Sequence, residues 1–163
     1  MFGSAVSGRA ATIPAAARRL WRRYQDWRFG AIDPGAKVGV RGEQAAARLL
    51  RSKGLVVVAH GEADRGGEID LIAIDRRHRT VVFVEVKTLA TTKPGHPADR
   101  VDEQKQGRIT RAALRFLRRQ KMLDARCRFD VVAVWWPGDS PDPQRIEHYE
   151  SAFEATGVDG FYS

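Results

Sequence analysis

Four charged side chains, Glu68, Asp70, Glu85 and Lys87, stand in or beside two apolar runs, Ile69 to Ile74 and Val81 to Val86, on either side of the polar turn Asp75 to Thr80. Two such runs around a turn read as a β-hairpin. Side chains alternate between the faces of a strand, so Glu68 shares a face with Asp70 and Glu85 shares one with Lys87. With Asp75 opposite Thr80, Asp70 falls against Glu85 and Glu68 against Lys87, and all four crowd one end of one face. Directly opposed carboxylates repel, with Cβ atoms only ~5 Å apart. A divalent cation between Asp70 and Glu85 removes that conflict. Mg²⁺ is typically held by one or two carboxylates together with waters and phosphate oxygens. The alternative is a local network in which Glu68 pairs with Lys87 and Asp70 stays solvated. A one-residue slip in register would send these charges to opposite faces.

The elements around the hairpin decide what else can reach it. A helix from about Lys37 to Lys53 carries Ala45, Ala46, Leu49 and Leu50 on one stripe, with Glu43 in its first turns and Gly54 after it. Leu55 to Ala59 is a short apolar strand, and glycine-rich Gly61 to Gly67 reads as a turn into the hairpin. Residues 88–100, rich in Thr, Pro and Gly, form a loop. The longest helix, about Val101 to Lys121, buries Ile109, Ala112, Ala113, Phe116 and Leu117 and places Arg108, Arg111, Arg115 and Arg118 on another face. That basic stripe is either a phosphate-contacting surface or an ordinary solvated face. Phe129 to Trp136 reads as a buried strand, with Trp135 and Trp136 on opposite faces, and Arg145 to Tyr149 as a last edge strand. The predicted fold class is α/β, a mixed sheet of four to five strands with helices on both faces.

At 163 residues the chain suits one main domain. We expect a basic N-terminal extension over residues 1–36, an α/β domain over 37–153 and a tail over 154–163. The net charge is +8. Residues 1–36 hold six Arg against Asp26 and Asp33, and residues 93–121 hold nine Lys or Arg against three acids, so the charge is concentrated in two places. That distribution points to a polyanionic partner. Within the extension, Pro14 to about Arg28 is helical, with Leu20, Tyr24 and Trp27 on one stripe among arginines. Packing on the domain or a partner, phosphate contact and a membrane surface are the competing uses of that helix. Its Arg-rich, acid-poor character is also that of an organellar transit peptide, whereas no secretory h-region is present. No apolar run reaches ~18 residues, which argues against a transmembrane helix.

Several other chemistries find no support. There is no Gly-Lys-Ser/Thr phosphate loop and no GxGxxG spacing. His60, His78, His96 and His148 are scattered, without a HExxH pair, and read as surface or capping residues. The single Cys127 makes no intramolecular disulfide, has no nearby histidine and suits a reducing compartment.

In order, Glu43, Ile69-Asp70, Glu85-Val86-Lys87 and Lys105-Gln106 resemble the PD-(D/E)XK nuclease superfamily. Gly42-Glu43, Gly67-Glu-Ile-Asp-Leu-Ile72, Phe83-Val-Glu-Val-Lys87, Lys105-Gln106 with Arg108-Ile109, and Arg128-Phe-Asp-Val-Val132 resemble more narrowly the YraN-type family of small bacterial proteins. The resemblance runs from about Lys37 to Phe153. It implies a restriction-endonuclease-like three-layer sandwich, related to archaeal Holliday-junction resolvases, that binds Mg²⁺ or Mn²⁺ and cuts structured or branched DNA in repair or recombination. It further implies metal ligation by Asp70 and Glu85, with Glu43 supporting metal or water, Lys87 beside the attacked phosphate and Gln106 completing the site. Lys105, Arg108, Arg111 and Arg115 would meet the nucleic acid. A bacterial cytoplasmic location and, by analogy, a homodimer accompany this reading. Two positions depart from the pattern: Ile69 replaces the proline, and Leu89 stands where a basic residue is usual. A module that keeps the fold and binds nucleic acid without cutting it is the rival reading.

Overall fold

The computed structural model describes residues 32–64, 67–90, 101–138 and 140–157. The helix expected over Pro14 to Arg28, most of the loop expected over 88–100 and the end of the tail lie outside the described residues. Helix α1 (Val38–Ser52) is followed by strands β1 (Val56–Asp64), β2 (Gly67–Asp75) and β3 (Thr80–Leu89). Helix α2 (Glu103–Arg119) and strands β4 (Arg126–Trp135) and β5 (Arg145–Phe153) complete the order. The strands lie in one sheet in sequence order. All neighbours are antiparallel except β3 and β4. That parallel pair requires a crossover, which α2 supplies.

The sheet is buried on both faces. Under α2, Ile72, Phe83, Phe129 and Val131 pack with Ile109, Ala113, Phe116 and Leu117. Phe83 lies edge-on to Phe116 and stacked on Phe129, which in turn stacks on Phe153. Under α1, Leu71, Ala73, Val82, Val84, Val132 and Val134 meet Ala45, Ala46, Ala47 and Leu50. The alanines of that helix let its backbone come close to the sheet. Trp135 and Trp136 are both buried. Arg145 stacks over the first and Arg41 over the second.

Gly42 sets how closely α1 approaches β3. A Cβ there would lie 2.0 Å from Thr88 Oγ1, 3.2 Å from its Cβ and 3.3 Å from its Cγ2. Turning the Thr88 Cβ hydrogen toward the helix removes the Oγ1 clash but leaves Thr88 Cβ at 3.2 Å, so an alanine forces Thr88 into another rotamer and presses the helix outward. We predict that Gly42→Ala destabilises the fold by about 1–3 kcal/mol in urea denaturation. Thr88→Ala in the same chain should recover a large part of the loss, and no recovery would mean that the contact is not the cause.

Two sequence expectations need correction. The stretch Gly61 to Gly67 is not simply a turn, because β1 continues to Asp64 and pairs with β2 as far as Asp64↔Gly67. Gly61 instead takes a positive φ of 54° within the strand. The loop expected from residue 88 starts later, since β3 includes Thr88 and Leu89.

Candidate metal-phosphate site

The hairpin register is the expected one from Asp75↔Thr80 to Leu71↔Val84, where the pairing of β2 with β3 stops. Pairing of β2 with β1 continues past that point. The β1–β2 ribbon therefore separates from β3 beside Asp70. At the same place the strands change faces. Leu71 packs under α1, yet Ile69, two residues away, packs under α2 with Ile72. Strict alternation would put Ile69 with Leu71. The neighbouring strand shows a matching change, because Gly61 lies between His60 and Glu62, the partners of Leu71 and Ile69, and has the left-handed backbone that a glycine accepts without steric cost.

Asp70 sits at this break and uses it. Its Oδ2 accepts the Val86 N–H at 2.7 Å, so a side chain takes the β3 donor near which the backbone ladder ends. The half-buried Asp70 carboxyl is pushed up to about 7, by burial first and then by Glu85, with Glu43 adding to the effect. The Val86 N–H and Lys105 pull the other way without winning. Glu43, from the second turn of α1, is raised too, by burial and then by Glu68 and Glu85. Three carboxyls thus sense one another at this end of the sheet.

Glu85 is the most enclosed of them, with a relative exposure of 4%. Lys87 Nζ lies 2.9 Å from Oε1, and Lys105 Nζ lies 3.3 Å from Oε2. The second contact is within ion-pair range but lacks hydrogen-bond direction, and Oε2 is buried without a hydrogen-bond partner. Lys105 is aimed there by the start of α2. Asp102 caps the helix by accepting the Lys105 N–H at 2.7 Å, and Gly67 lets the helix backbone come close. A Cβ at Gly67 would stand 2.9 Å from the Arg108 carbonyl oxygen, which is backbone and has little room to give.

The structure therefore brings together Glu43, Asp70, Glu85, Lys87 and Lys105. Lys87 pairs with Glu85 rather than with Glu68, which is exposed and aligned with Ala63 of β1. Gln106 has a structural task at the edge of the site: its Nε2 donates to the Val101 carbonyl at 2.8 Å and ties down the chain entering α2. Arg108 and Arg115 are half-buried along α2, and Arg111 is exposed with its guanidinium near Gly107 and Gly157. Sequence reasoning assigned Lys105 to nucleic acid alone and missed its approach to Glu85. The signal was present, since Lys105 is the third residue of a helix whose N-cap, Asp102, is visible in the sequence.

The donor set fits a hard divalent cation only partly assembled. Among the described residues, no group of three or more His, Cys, Asp or Glu side chains is gathered as a ready metal cage. Two carboxylates with waters and phosphate oxygens nevertheless suffice for Mg²⁺. The Glu85 Oε2 without a hydrogen bond and the raised Asp70 are the features that a divalent cation would relieve.

A second buried polar cluster was not legible as a cluster. Asp130 is fully buried and accepts from Arg128 Nε at 3.1 Å, from His148 Nε2 at 2.8 Å and from the Ser151 N–H at 2.9 Å. The His148 side chain is fully buried, which corrects its reading as a surface or capping residue. His78 does serve the hairpin turn, with Nδ1 2.7 Å from Asp75 Oδ2.

The mixed sheet between α1 and α2, with acids and lysines where β2 leaves β3, defines an α/β sandwich of the restriction-endonuclease-like kind. The chain belongs to the uncharacterised protein family UPF0102, whose profile matches residues 42–134. It is 63% identical over 161 residues to a UPF0102 protein of Rhodopirellula baltica, a match covering 99% of this chain and 96% of that one. Against a UPF0102 protein of Geobacter sulfurreducens the identity is 45% over 117 residues, covering 72% of this chain and 88% of the relative. A Prosthecochloris aestuarii UPF0102 protein is 42% identical over 121 residues, covering 72% and 94%. The Rhodopirellula match takes in the basic N-terminal extension as well as the domain. No helix among the described residues is long and apolar enough to cross a membrane.

Proposed function

We propose that this protein is a metal-dependent endonuclease that hydrolyses phosphodiester bonds in DNA, with structured or branched DNA as its substrate and Mg²⁺ or Mn²⁺ as its cofactor. The observation that carries this reading is the convergence of Asp70 and Glu85, one with its carboxyl pushed up to about 7 and the other buried with an oxygen that lacks a hydrogen bond. Such a clash is costly to the fold and is a recurrent mark of functional sites. Asp70 and Glu85 would hold the cation and Glu43 would support it. Lewis acidity and a lowered water pKa are the chemistry that a divalent cation supplies in such a place.

The chain's own groups account for the rest. Lys87 and Lys105 bring two ammonium groups to one carboxylate, and once that carboxylate engages a cation their charge is available to the phosphoryl oxygens, where negative charge accumulates during hydrolysis. Glu43 has a raised carboxyl and is suited to take a proton from the attacking water. Arg108, Arg111 and Arg115 would contact phosphates along α2, making binding salt-sensitive. No base-reading motif stands out in the sequence, which favours recognition of nucleic-acid shape.

One observation favours a second reading. Both Glu85 oxygens already face lysines, an arrangement that also suits a non-catalytic scaffold with a neutralised site. The test is a cleavage panel of forks, flaps, four-way junctions, duplexes and single strands, with Mg²⁺, Mn²⁺ or a chelator. Cleavage that requires metal and prefers a branched substrate is expected. Tight binding without cleavage of any of them rejects the enzyme in favour of the scaffold.

A further inference from the structure

The end of the sheet opposite Glu85 holds a second concentration of positive charge. The turn between β2 and β3 is Arg76-Arg77-His78-Arg79, and all four residues are exposed. Arg126 starts β4 beside Thr80, Lys53 follows α1, and Arg128 completes a set of six Lys and Arg. Against them stand Asp75, Asp130 and Glu150. A cavity of about 310 Å³ opens here, its walls including Lys53, Asp75, Arg77, His78, Arg128 and Glu150.

This surface is held in shape from behind. Arg128 reaches Asp75 at 3.2 Å, Asp130 at 3.1 Å and Glu150 at 3.5 Å, so its guanidinium is fixed as a wall. Asp75 Oδ1 accepts the N–H groups of Arg77 and His78, which sets the turn. The three carboxylates are thus occupied with Arg128, His78, His148 and Lys53, and Arg77 and Arg126 stand outside those pairs. A polyanion meeting this end finds cations already positioned, which lowers the entropy lost on binding.

We propose that this end of the sheet is a second phosphodiester-binding surface, with the hairpin turn and Arg126 contacting backbone phosphates and the cavity beside Arg77 receiving one of them. Thr80 and Lys87 are seven residues apart along β3, roughly 23 Å at the rise of a strand. That length equals about seven base pairs of duplex. The two ends therefore reach separate phosphates of one long duplex or of two arms of a branched molecule. The inference rests on nucleic acid as partner and not on hydrolysis.

The test measures binding by the full chain in chelator, so that cleavage cannot interfere. Fluorescence anisotropy with a 20-base-pair duplex and with a four-way junction is followed between 50 and 200 mM salt. Arg77→Glu and Arg126→Glu should each make the slope of log affinity against log salt shallower by about one, and the double variant should bind roughly tenfold more weakly at 100 mM. Loss with both probes assigns the surface to one continuous duplex, and loss with the junction alone assigns it to a second arm. Should Arg77→Glu fail to fold, Arg77→Gln reads the same slope with the charge removed rather than reversed. Unchanged slopes and affinities, in a wild type that binds in a salt-dependent way, overturn the surface and leave the nucleic-acid reading standing. A wild type without salt-dependent binding overturns both.

Discussion

Asp70→Asn is expected to raise the melting temperature of the metal-free protein at pH 8 while removing divalent-cation binding. The folded protein holds the Asp70 proton up to about pH 7, against 3.8 for the free carboxyl. A raised folded pKa means that the folded state binds this proton more tightly than the unfolded chain does. Its contribution to stability is complete below about pH 4, declines as pH rises through the interval up to 7, and is lost above it. At pH 8 wild type carries the whole cost of ionising Asp70 beside Glu85, at most about 4 kcal/mol. Asparagine avoids that cost and still offers an oxygen to the Val86 N–H. A gain of several degrees at pH 8, shrinking toward zero at pH 4, is the expected result. Added Mg²⁺ or Mn²⁺ should raise the wild-type melting temperature at pH 8 and leave the variant unmoved. A variant that is less stable than wild type at pH 8 would show that Asp70 is a structural anchor rather than a strained functional group.

The opposite outcome is expected at Asp130, which is fully buried. Asp130→Ala removes the acceptor of Arg128 Nε, His148 Nε2 and the Ser151 N–H in one step. Arg128 keeps Asp75 and Glu150, but His148 loses its carboxylate in a fully buried position. Lys53 Nζ donates to His148 Nδ1 at 3.1 Å, which leaves Nε2 as the protonated nitrogen and makes Asp130 its natural acceptor. Ser151 has a positive φ of 48° within the irregularity in the pairing of β4 with β5, and Asp130 Oδ1 is what holds its amide. Breaking a buried charged network by removing one partner costs about 3–5 kcal/mol. Chemical denaturation should show a loss of that size. Ser151→Gly should instead gain up to about 1 kcal/mol, because glycine adopts this backbone freely. A loss below about 1 kcal/mol for Asp130→Ala would mean that water replaces the carboxylate, so that the cluster contributes little to the fold.

The contrast between these two acids shows what a sequence can reveal. The register of β2 and β3 followed from the turn alone, because Asp75 and Thr80 close the hairpin and each further pair is then fixed. That arithmetic put Asp70 near Glu85, and after burial the Glu85 charge is the next cause that pushes the Asp70 carboxyl up. It assumed uniform alternation, and alternation breaks at Asp70, where β2 leaves β3 and Gly61 turns the adjacent strand. Glycines between polar residues read as a turn, and only pairing across the sheet reveals one inside a strand. Asp130 and His148 were harder still. They lie 18 positions apart on strands whose pairing contains an irregularity, so no local pattern joins them. A clue did exist: Arg128 and Asp130 alternate within an apolar strand, just as Glu85 and Lys87 do. The same question asked of both strands would have found a second buried charge cluster, although not its histidine.

The central claim, that Asp70 and Glu85 form a metal-dependent phosphodiesterase centre, is tested most directly by single-turnover cleavage of a labelled four-way junction in Mg²⁺. Wild type, Asp70→Asn and Glu85→Gln, purified in parallel, should all bind the junction in chelator. Only wild type should cut it, with the variants slower by about 10³-fold or more, as for the loss of a group that stabilises the transition state directly. Equal cleavage by all three proteins, or none by wild type on a junction it binds tightly, would contradict the account.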